Sequence, residues 1–591
     1  MPAPIRIAVH DDKHFQVTVD PTAPSSWRLS AVVRRFPEQR WHADGYFTVP
    51  ATEVNIDYLK AHFRADEYEL DADAQVFYDY VTKTIALAQI KEKRRWKYLF
   101  NDEVPQNLPF KFQTTPYKHQ LVALDALHGQ EFFALFMEMG TGKTKVIIDE
   151  LYACAKEHPG YRVLILAPRT VLRTWEKEFD KHLRPDCTRF VKRIRNTGVG
   201  KEGGIQVMLD GMQSKADLVV FLCNYEKTGP LLDAFTTIGL DIVVADESTR
   251  IKGYRANRSA NARAIAAIAK RRVILTGTPI TNGVFDLFSQ FEFLNPGSLG
   301  YSTRNAFREA HSHVQKIHNW EQATGYKALD DLKKRVARHA FLVTKDQCLD
   351  LPAKSYDTRE VDMGPHQREY YDQMVEWFMA EMTDEVGNKG TVEARSFLSK
   401  LLRLSQITQG FCRTPDGTTI PIDDGNGKLD ELMDIIDDLP LDRKIIVWAR
   451  FHYDIEAISK ALEERQIEYR AIYGGVSQDN RDKAVDDFNA TNNVRVLVGE
   501  PGTGGLGLTL LGSPEMPCHT AVYYSNDYSL EKRLQSEDRC HRIGQKHPVT
   551  YIDIVCEDSI DQHIAQKLQD KRNLCDEVKD MDSIKEFLLT R

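Results

Sequence analysis

The chain lacks the features of a membrane, secreted or zinc-stapled protein. No apolar run reaches the roughly 18 residues that a membrane span needs. The first residues, MPAPIRIAVHDDKH, lack the apolar core of a signal peptide. Nine cysteines are scattered without a Cys-x-x-Cys pair, which argues against a zinc site or a disulfide framework. We therefore expect a cytoplasmic protein without a membrane partner.

An excess of positive charge is also lacking. The formal net charge is −8 at pH 7, with 78 lysines and arginines against 86 aspartates and glutamates. A nucleic-acid partner would therefore have to be met by local basic patches. The 42% hydrophobic and 28% charged content is ordinary for a globular protein. A length of 591 residues exceeds what one core supports, so we expect three or more domains.

Two series of short β-branched runs alternate with helical patterns and predict two α/β units with parallel sheets. The first series is Phe132–Phe136, Val163–Leu166, Leu218–Leu222, Ile242–Ala245 and Val273–Leu275. The second series is Ile445–Trp448, Tyr469–Ile472, Val494–Val498, Ala521–Tyr524 and Thr550–Val555. A mostly helical, charged stretch at roughly 300–430 joins the two series.

The two ends of the chain have different patterns. Short alternating runs (Ile5–Val9, Phe15–Val19, Tyr46–Val49) predict small strands, followed by a helical run over 53–98. The segment from 560 to 591 predicts a helix. The predicted domains are an accessory α+β domain at 1–110, a first α/β domain at 111–345, a linker with a helical protrusion at 346–425, and a second α/β domain with a C-terminal helix at 426–591.

A glycine-rich loop after the first buried run predicts a phosphate site, and its residues are Met139, Gly140, Thr141, Gly142, Lys143 and Thr144. Glycines let backbone N–H groups approach phosphate oxygens, and the following helix adds its positive end. We expect Lys143 to contact the outer phosphates and the Thr144 hydroxyl to ligate Mg²⁺. The strict pattern has glycine where this chain has Met137. The alternative is a glycine-rich turn without a ligand.

Two acids follow the buried run Ile242–Ala245. Asp246 would hold Mg²⁺ and Glu247 would orient or deprotonate an attacking water. Alone, such a pair is more often a solvated strand end or a helix cap. Its place after a phosphate loop in the same α/β unit favours the catalytic interpretation.

These loops, with Leu275-Thr-Gly-Thr-Pro279 and Gln535-Ser-Glu-Asp-Arg-Cys-His-Arg-Ile-Gly-Gln545, resemble the successive motifs of helicase superfamily two. The last two strings are similar to those of its Swi/Snf-type branch, and the resemblance covers roughly 115–575. It implies two RecA-like parallel-sheet lobes with helical insertions, a DNA-dependent ATPase, and ATP with Mg²⁺. Two departures stand out: Asp-Glu-Ser-Thr replaces the family's Asp-Glu-Ala-His, and Gly502–Thr509 lacks the usual cation.

The resemblance assigns further ATP contacts. Gln120 would read the adenine edge, since an amide both donates and accepts, and Tyr117 would stack on the base. Gln535 would join the nucleotide site. Arg539 and Arg542 are three residues apart on an expected helix and would reach the γ-phosphate when the lobes close. The alternatives are a helix-surface role for Gln120, and two surface arginines paired with Glu537 or Asp538.

The resemblance also implies tracking along duplex DNA without obligatory strand separation. The residues that it assigns to the DNA backbone are Arg169, Thr170, Asn224, Arg250, Lys252, Thr276, Gly475, Arg481 and Thr509. Contacts of this kind carry no sequence preference. For any single cationic run, a solvated face is the competing interpretation.

The segment Trp41–Pro50 with the following helix resembles the HARP domains of annealing helicases. Its aromatics, near Arg34, Arg35, Arg40 and the basic cluster at 91–97, could bind DNA strands or forks. The alternative is a small α+β domain whose aromatics form its core. We expect an ATP-dependent translocase on double-stranded or forked DNA in replication, repair or recombination, with any protein partner open. The alternatives are a strand-separating or annealing helicase, and a DNA-binding scaffold switched by ATP.

Overall fold

The computed structural model describes residues 3–11, 14–100, 103–105, 108, 111–169, 171–194, 200–317, 320–387, 394–414, 416–422, 426–502 and 508–579. The chain forms two compact units, one of Met1–Cys348 with Leu574–Arg591 and one of Leu349–Asn573. Within the described ranges, no helix is both long enough and apolar enough to cross a membrane.

The first unit begins with a small domain built on a five-stranded sheet in the order β3-β4-β2-β1-β5. Its elements are β1 Ile5–Asp11, β2 His14–Val19, α1 Ser26–Val33, β3 Arg40–His42, β4 Tyr46–Pro50, α2 Glu53–His62, β5 Tyr68–Leu70 and α3 Ala72–Phe100. Ile7, Val17 and Phe47 form the covered face and pack against residues of the helices. The helical run predicted over roughly 53–98 is confirmed in most of its length as α2 and α3, but β5 interrupts it, because Tyr68 and Leu70 pair with β1.

The same unit contains a seven-stranded sheet in the order β14-β6-β11-β10-β7-β9-β8. All its paired strands are parallel. Its strands are β6 Phe132–Met137, β7 Tyr161–Leu166, β8 Arg189–Arg193, β9 Leu218–Cys223, β10 Leu240–Asp246, β11 Ala269–Leu275 and β14 Ala340–Val343, and a separate hairpin is formed by β12 Ser312–Ile317 and β13 Trp320–Tyr326. The central strands are buried on both faces, as a parallel sheet between helices requires.

Among the described residues of this unit, ten α-helices follow the small domain. They are α4 Lys118–Leu127, α5 Lys143–Glu157, α6 Leu172–His182, α7 Gly200–Gln213, α8 Leu232–Ile238, α9 Asn257–Ile268, α10 Phe285–Leu294, α11 Arg304–His311, α12 Leu329–Arg338 and α13 Lys345–Cys348. Short 3₁₀ turns cover Tyr225–Lys227, Gly229–Leu231 and Ser248–Ile251.

The second unit has a six-stranded parallel sheet in the order β15-β22-β21-β18-β20-β19. Its strands are β15 Lys354–Val361, β18 Lys444–Trp448, β19 Tyr469–Ile472, β20 Val496–Gly499, β21 Cys518–Tyr523 and β22 Val549–Cys556, with a hairpin of β16 Phe411–Arg413 and β17 Thr419–Pro421. Its helices are α14 Pro365–Gly387, α15 Ala394–Ile407, α16 Gly427–Asp438, α17 His452–Glu464, α18 Gln478–Ala490, α19 Leu530–Glu537 and α20 Ile560–Lys579.

The ten predicted buried strands are confirmed as strands of the two parallel sheets. The stretch predicted to be mostly helical differs, because it contains the hairpin β12–β13 and two strands of the large sheets, β14 and β15. β14 has only four residues, and β15 is exposed along most of its length, so neither gives a long apolar run. The predicted C-terminal helix is present as α20, and residues 580–591 lie outside the described part.

The small domain is fixed to the larger part of the first unit through α3. The buried guanidinium of Arg95 donates hydrogen bonds to the carbonyl oxygens of Ala340 and Ala337, at 2.5 and 2.7 Å. Arg94 pairs with Asp125 on α4. The Glu38 carboxylate accepts from the backbone N–H of Ser302 at 2.7 Å. Arg94 and Arg95, which the sequence suggested for DNA, are therefore engaged in docking this domain.

This docking predicts unequal effects for two neighbouring arginines. Arg95→Leu leaves two buried carbonyl groups without their donor, so we expect the free energy of unfolding to fall by about 2–4 kcal/mol. Arg94→Leu is the matched control, because its side chain is 49% exposed and such a pair is worth about 1 kcal/mol or less. Urea titration of the full chain measures both values. Equal losses for the two variants would contradict the docking role of Arg95.

Candidate active site

The parallel sheet of the first unit brings three loops to one edge. Chain segments that follow parallel strands all leave at the same edge, where ligands bind in open α/β sheets. The glycine-rich loop follows β6, Asp246 ends β10, and Thr276 follows β11. Because β11 lies between β6 and β10, the three loops are adjacent.

The glycine-rich loop has a backbone that requires glycine. Gly140 and Gly142 have φ of 82° and 92°, in the left-handed region that side chains disfavour. A Cβ on Gly142 would also lie 2.1 Å from Nε2 of Gln120. Gly142 caps α5, whose first turn has N–H groups without an intrahelical acceptor. The Lys143 ammonium donates to the carbonyl of Met137 at 2.8 Å, so it lies along the loop.

Gln120 connects the segment before α4 to this loop. Its Oε1 accepts from the N–H of Tyr117 at 3.0 Å, and its Nε2 donates to the Thr141 carbonyl at 3.0 Å. Gln120 is buried, so the alternative of a helix-surface residue is wrong. Tyr117 is 49% exposed, with its ring nearly parallel to that of His119. The contacts of Gln120 and Tyr117 with adenine stay predictions.

Asp246 is a buried carboxylate with specific partners. Its Oδ2 accepts from the indole N–H of Trp175 at 2.8 Å, and its Oδ1 from the N–H of Glu247 at 2.9 Å. The Tyr225 hydroxyl donates to its main-chain carbonyl at 2.7 Å. Burial raises the pKa of Asp246, while the Trp175 hydrogen bond and the positive charge of Lys143 oppose the rise. Lys143 and Asp246, which the sequence assigned to one nucleotide site, are therefore close enough to interact electrostatically.

The backbone at Glu247 is unusual for a residue with a side chain. Its φ of 50° and ψ of 57° are left-handed, a conformation that is uncommon outside glycine, asparagine and aspartate. Such strain often accompanies a functional position. Glu247 is buried at the sheet edge, directly after Asp246, and the 3₁₀ turn Ser248–Ile251 follows it. The alternative of a solvated strand end is wrong for both acids.

The geometry fits a nucleotide with a divalent cation. The left-handed glycines, the N-terminus of α5 and the Lys143 ammonium form a cradle of the kind that holds phosphate. The Thr144 hydroxyl and the Asp246 carboxylate are hard oxygen donors that suit Mg²⁺. Thr144 lies in the first turn of α5, which follows β6. Asp246 ends β10, which is separated from β6 by β11 alone. Three residues that sequence reasoning missed bond to these loops: Trp175 to Asp246, His119 to the Thr141 carbonyl at 2.7 Å, and Gln290 to Ser248.

The Gln535–Gln545 string belongs to the second unit and differs from the prediction in one respect. Helix α19 ends at Glu537, so Arg539 and Arg542 lie in the following turns and not on a helix. The Arg542 guanidinium donates to the Leu508 carbonyl at 3.0 Å, and Arg539 is buried. Gln545 donates to the carbonyls of Cys518 and Cys540 and so fixes the end of the string.

A buried cluster of charged residues around Glu537 holds the beginning of this string. Glu537 is fully buried and pairs with Arg533 and Arg572, and the Tyr356 hydroxyl donates to it at 2.9 Å. These cations lower the pKa of Glu537 to about 2 against the opposing effect of burial. Gln535 lies half-buried on α19, and its role at the nucleotide stays a prediction.

The predicted DNA contacts lie after strands of the two sheets. In the first unit Arg169 and Arg250 are exposed, Lys252 donates to the Thr281 hydroxyl, and Thr276 is buried. Asn224 follows β9, and its buried Oδ1 has no hydrogen-bond partner within the described residues. In the second unit Gly475 is exposed, Arg481 donates to the Val476 carbonyl, and the Thr509 carbonyl accepts from Asn489. Thr170 and residues 503–507 lie outside the described part.

The close packing of Gly142 predicts a specific loss of ATP affinity. Gly142→Ala puts a methyl group against Gln120 in a backbone conformation that alanine disfavours, so we expect ATP affinity to fall at least ~10-fold. Gly160→Ala is the matched control, because Gly160 has a similar φ of 86° but a Cβ there meets nothing within 4 Å. Titration with a fluorescent ATP analogue measures both. Unchanged affinity in Gly142→Ala would contradict the assignment of the cradle.

Two protein-family models match the chain. The SNF2-related domain matches residues 129–416, and the helicase conserved C-terminal domain matches residues 427–544. Together they cover well over half of the chain, and the first contains all three loops of the candidate site. The second contains Arg539 and Arg542 and ends within the Gln535–Gln545 string.

Curated relatives are similar at low identity. An uncharacterized ATP-dependent helicase of Mycoplasma pneumoniae is 26% identical over 74% of this chain and 39% of its own length. The TATA-binding protein-associated factor MOT1 of Saccharomyces cerevisiae is 26% identical over 80% of this chain and 28% of its own. The ISWI chromatin-remodeling complex ATPase ISW1 of the same yeast is 24% identical over 78% and 40%. The chain thus spans two fifths or less of the length of these relatives.

A solved structure of the Sulfolobus solfataricus SWI2/SNF2 ATPase core in complex with dsDNA is 23% identical over 81% of this chain and 95% of that chain. Its TM-score is 0.37. The two family matches, the glycine-rich loop after β6 and the acids after β10 agree with one another. The chain belongs to the Swi2/Snf2-type ATPases of helicase superfamily two.

Proposed function

We propose that this chain is a DNA-stimulated ATPase that moves along duplex DNA. One observation carries the proposal: Lys143, Asp246 and Glu247 meet at one edge of a parallel sheet, where Asp246 is buried and influenced by the charge of Lys143. Cations that suit the DNA backbone follow strands of the same sheet. The relatives include proteins named as an ATP-dependent helicase and a chromatin-remodeling ATPase, which supports the same class of activity.

In this proposal the first unit holds ATP and activates water. The backbone of the glycine-rich loop and Lys143 bind the phosphates, and Gln120 keeps the adenine-side segment against the loop. Thr144 and Asp246 would hold Mg²⁺, which would offset the negative charge of the phosphates. Glu247 orients the attacking water and accepts its proton. Trp175 and the N–H of Glu247 keep the Asp246 carboxylate in place.

We further propose that Arg539 and Arg542 stabilise the γ-phosphate during hydrolysis, when the two units close on ATP. A guanidinium in that role offsets charge on the phosphoryl oxygens and contributes about 10³–10⁵ in rate in other nucleotide hydrolases. The turn that carries both residues is held by Gln545 and by the Glu537 cluster, which supports an ordered presentation of the two cations. Gln535 on the preceding helix would contact the nucleotide from the same unit.

The DNA contacts proposed for each unit lie after parallel strands. In the first unit they are Arg169, Asn224, Arg250 and Lys252, with Thr276 in the loop beside the acids. In the second they are Gly475, Arg481 and Thr509. Exposed cations and backbone groups of this kind bind phosphates without reading sequence. Units that each grip the backbone and shift during the ATP cycle would give stepwise movement.

This proposal predicts the kinetic behaviour of three variants. Lys143→Ala should abolish ATP binding, and Glu247→Gln should bind ATP but lower the DNA-stimulated rate roughly 100-fold or more, since it removes the base. Arg542→Ala should lower kcat with little change in KM for ATP. Glu157→Gln, an exposed carboxylate at the end of α5, is the control. Steady-state ATPase assays with single-stranded, duplex and forked DNA and with RNA measure these rates.

Two outcomes would contradict the proposal. Equal ATPase rates with and without nucleic acid would remove the motor, and a burst of hydrolysis without turnover would favour an ATP-switched scaffold. Stimulation by single strands alone would favour a strand-separating helicase over duplex tracking.

We also propose that the small N-terminal domain directs the motor to forked DNA. The face of its sheet opposite the helices carries His10, His42 and Tyr46, with the His42 and Tyr46 ring centroids 4.6 Å apart and their planes 10° from parallel. His10 lies 5.9 and 5.8 Å from these two rings, and Arg40 is exposed on the adjacent edge strand. Stacked rings beside a cation suit unpaired bases.

The fork proposal is tested without removing the domain, because a deletion would also remove Arg95 and its bonds to the buried carbonyls of Ala337 and Ala340. Tyr46→Ala combined with His42→Ala should weaken stimulation by forks at least ~10-fold relative to plain duplex, as loss of base stacking costs about 1–3 kcal/mol per base. Trp27→Ala is the control, an aromatic residue 78% exposed on α1, which packs on the covered face. Strand-annealing and strand-displacement assays on the same forks separate rewinding from unwinding. Equal losses on forks and duplex would contradict a fork-specific role.

A further inference from the structure

Helix α10 carries three buried polar residues on an otherwise apolar surface. Asp286, Ser289 and Gln290 are all buried among leucine and phenylalanine side chains of the same helix. A buried polar group costs free energy unless it is hydrogen-bonded. All three are bonded to the loops after β10 and β11 or to α10 itself, and Gln290 is fully buried.

Gln290 uses its whole amide group to join two loops. Its Oε1 accepts from the Ser248 hydroxyl at 2.6 Å. Its Nε2 donates to the carbonyls of Pro279 at 2.8 Å and Asp286 at 2.9 Å. The reverse orientation would place Oε1 against two carbonyl oxygens, so the bonding pattern sets the amide.

The two loops that Gln290 joins have different tasks in the proposed function. Ser248 directly follows Glu247, whose backbone is left-handed. Pro279 ends the Leu-Thr-Gly-Thr-Pro string, and a Cβ on Gly277 in that string would lie 2.9 Å from the backbone nitrogen of Met139. The bonded path therefore runs from Glu247 through Gln290 to the segment packed against the phosphate loop.

Asp286 holds the continuation of the second loop. Its carboxylate accepts from the N–H groups of Thr281 and Asn282, at 2.9 and 2.8 Å. Lys252, a proposed DNA contact after the acids, donates to the Thr281 hydroxyl. If DNA binding moves Lys252, its hydrogen bond to Thr281 would move the loop after β11. The bond from Thr281 to Asp286 would in turn move α10.

We propose that Gln290 is a positioning residue that couples DNA binding to ATP hydrolysis, by holding Ser248 and hence Glu247 in register with the loop of Thr276–Asn282. This inference rests on the proposed function. In this proposal the Ser248 hydroxyl donates to α10, at a position where the motifs that this chain resembles have alanine followed by histidine. Ser248 and Gln290 act as one unit, because the connection between the two loops needs both the Ser248–Gln290 bond and the Gln290–Pro279 bond.

The test uses the full chain and compares Gln290→Leu, Ser248→Ala and the double variant. We expect the ratio of DNA-stimulated to basal ATPase to fall at least ~10-fold in each single variant, through kcat and not through KM for ATP. The double variant should be no worse than the more affected single variant, since one connection is broken in all three. Ser248→Ala removes only a hydroxyl and keeps the test valid if Gln290→Leu folds poorly.

Ser259→Ala is the matched control. Its buried hydroxyl donates to the Ile251 carbonyl at 3.1 Å, at the far end of the same 3₁₀ turn, without a bond to the loop after β11. We expect a small loss of thermal stability and an unchanged stimulation ratio.

The outcomes separate this inference from the proposed function. Wild-type ATPase that no DNA stimulates would contradict the proposed function itself. A wild-type enzyme that DNA stimulates, with Ser248→Ala and Gln290→Leu retaining the full ratio, would overturn the coupling role alone. Basal and stimulated rates that fall by the same factor as the folded fraction would also overturn it, because a purely structural residue behaves in that way.

Discussion

The buried carboxylate of Asp246 is the constraint on which the rest of the site depends. A carboxylate without water is costly to keep charged, so its surroundings must supply donors and positive charge. Three groups meet that need. The Trp175 indole donates from α6, the N–H of the next residue, Glu247, donates as well, and the Lys143 ammonium adds positive charge from the neighbouring loop. Their positions in turn constrain the glycine-rich loop and Glu247.

Left-handed backbone occurs in two loops at this sheet edge. Glu247 adopts left-handed angles directly after Asp246, and Gly142 adopts them at the start of α5. For a residue with a side chain, such as Glu247, this conformation is strained and persists only where the surroundings over-determine it. Gln120 leaves no room for a side chain at Gly142, and Ser248, the residue after Glu247, donates a hydrogen bond to Gln290 on α10. The site is therefore supported by Ser248 and α10 from outside the predicted nucleotide contacts, and by Gln120 beside its predicted contact with adenine.

Buried strands and the loops after them could be predicted from the sequence, because apolar runs bounded by glycines and acids have few other interpretations. β14 and β15 could not, since one is short and the other is exposed, and only pairing with β6 and β22 makes them strands. Lys143 and Asp246 followed from loop chemistry. Trp175 and Gln290 could not be found, because their bonds join residues 71 and 42 positions apart. The sequence predicted that Arg539 lies on a helix, but α19 ends at Glu537 and Arg539 lies in the turn that follows.

Movement along duplex DNA is the central claim, and displacement of a third strand tests it most directly. A triplex-forming oligonucleotide bound to a duplex is removed by a motor that travels beneath it, while the two strands of the duplex stay paired. We expect ATP-dependent release of the third strand from a duplex that carries a long flanking segment, without release of either duplex strand. Release that proceeds equally with a non-hydrolysable ATP analogue, or no release despite DNA-stimulated hydrolysis, would contradict translocation.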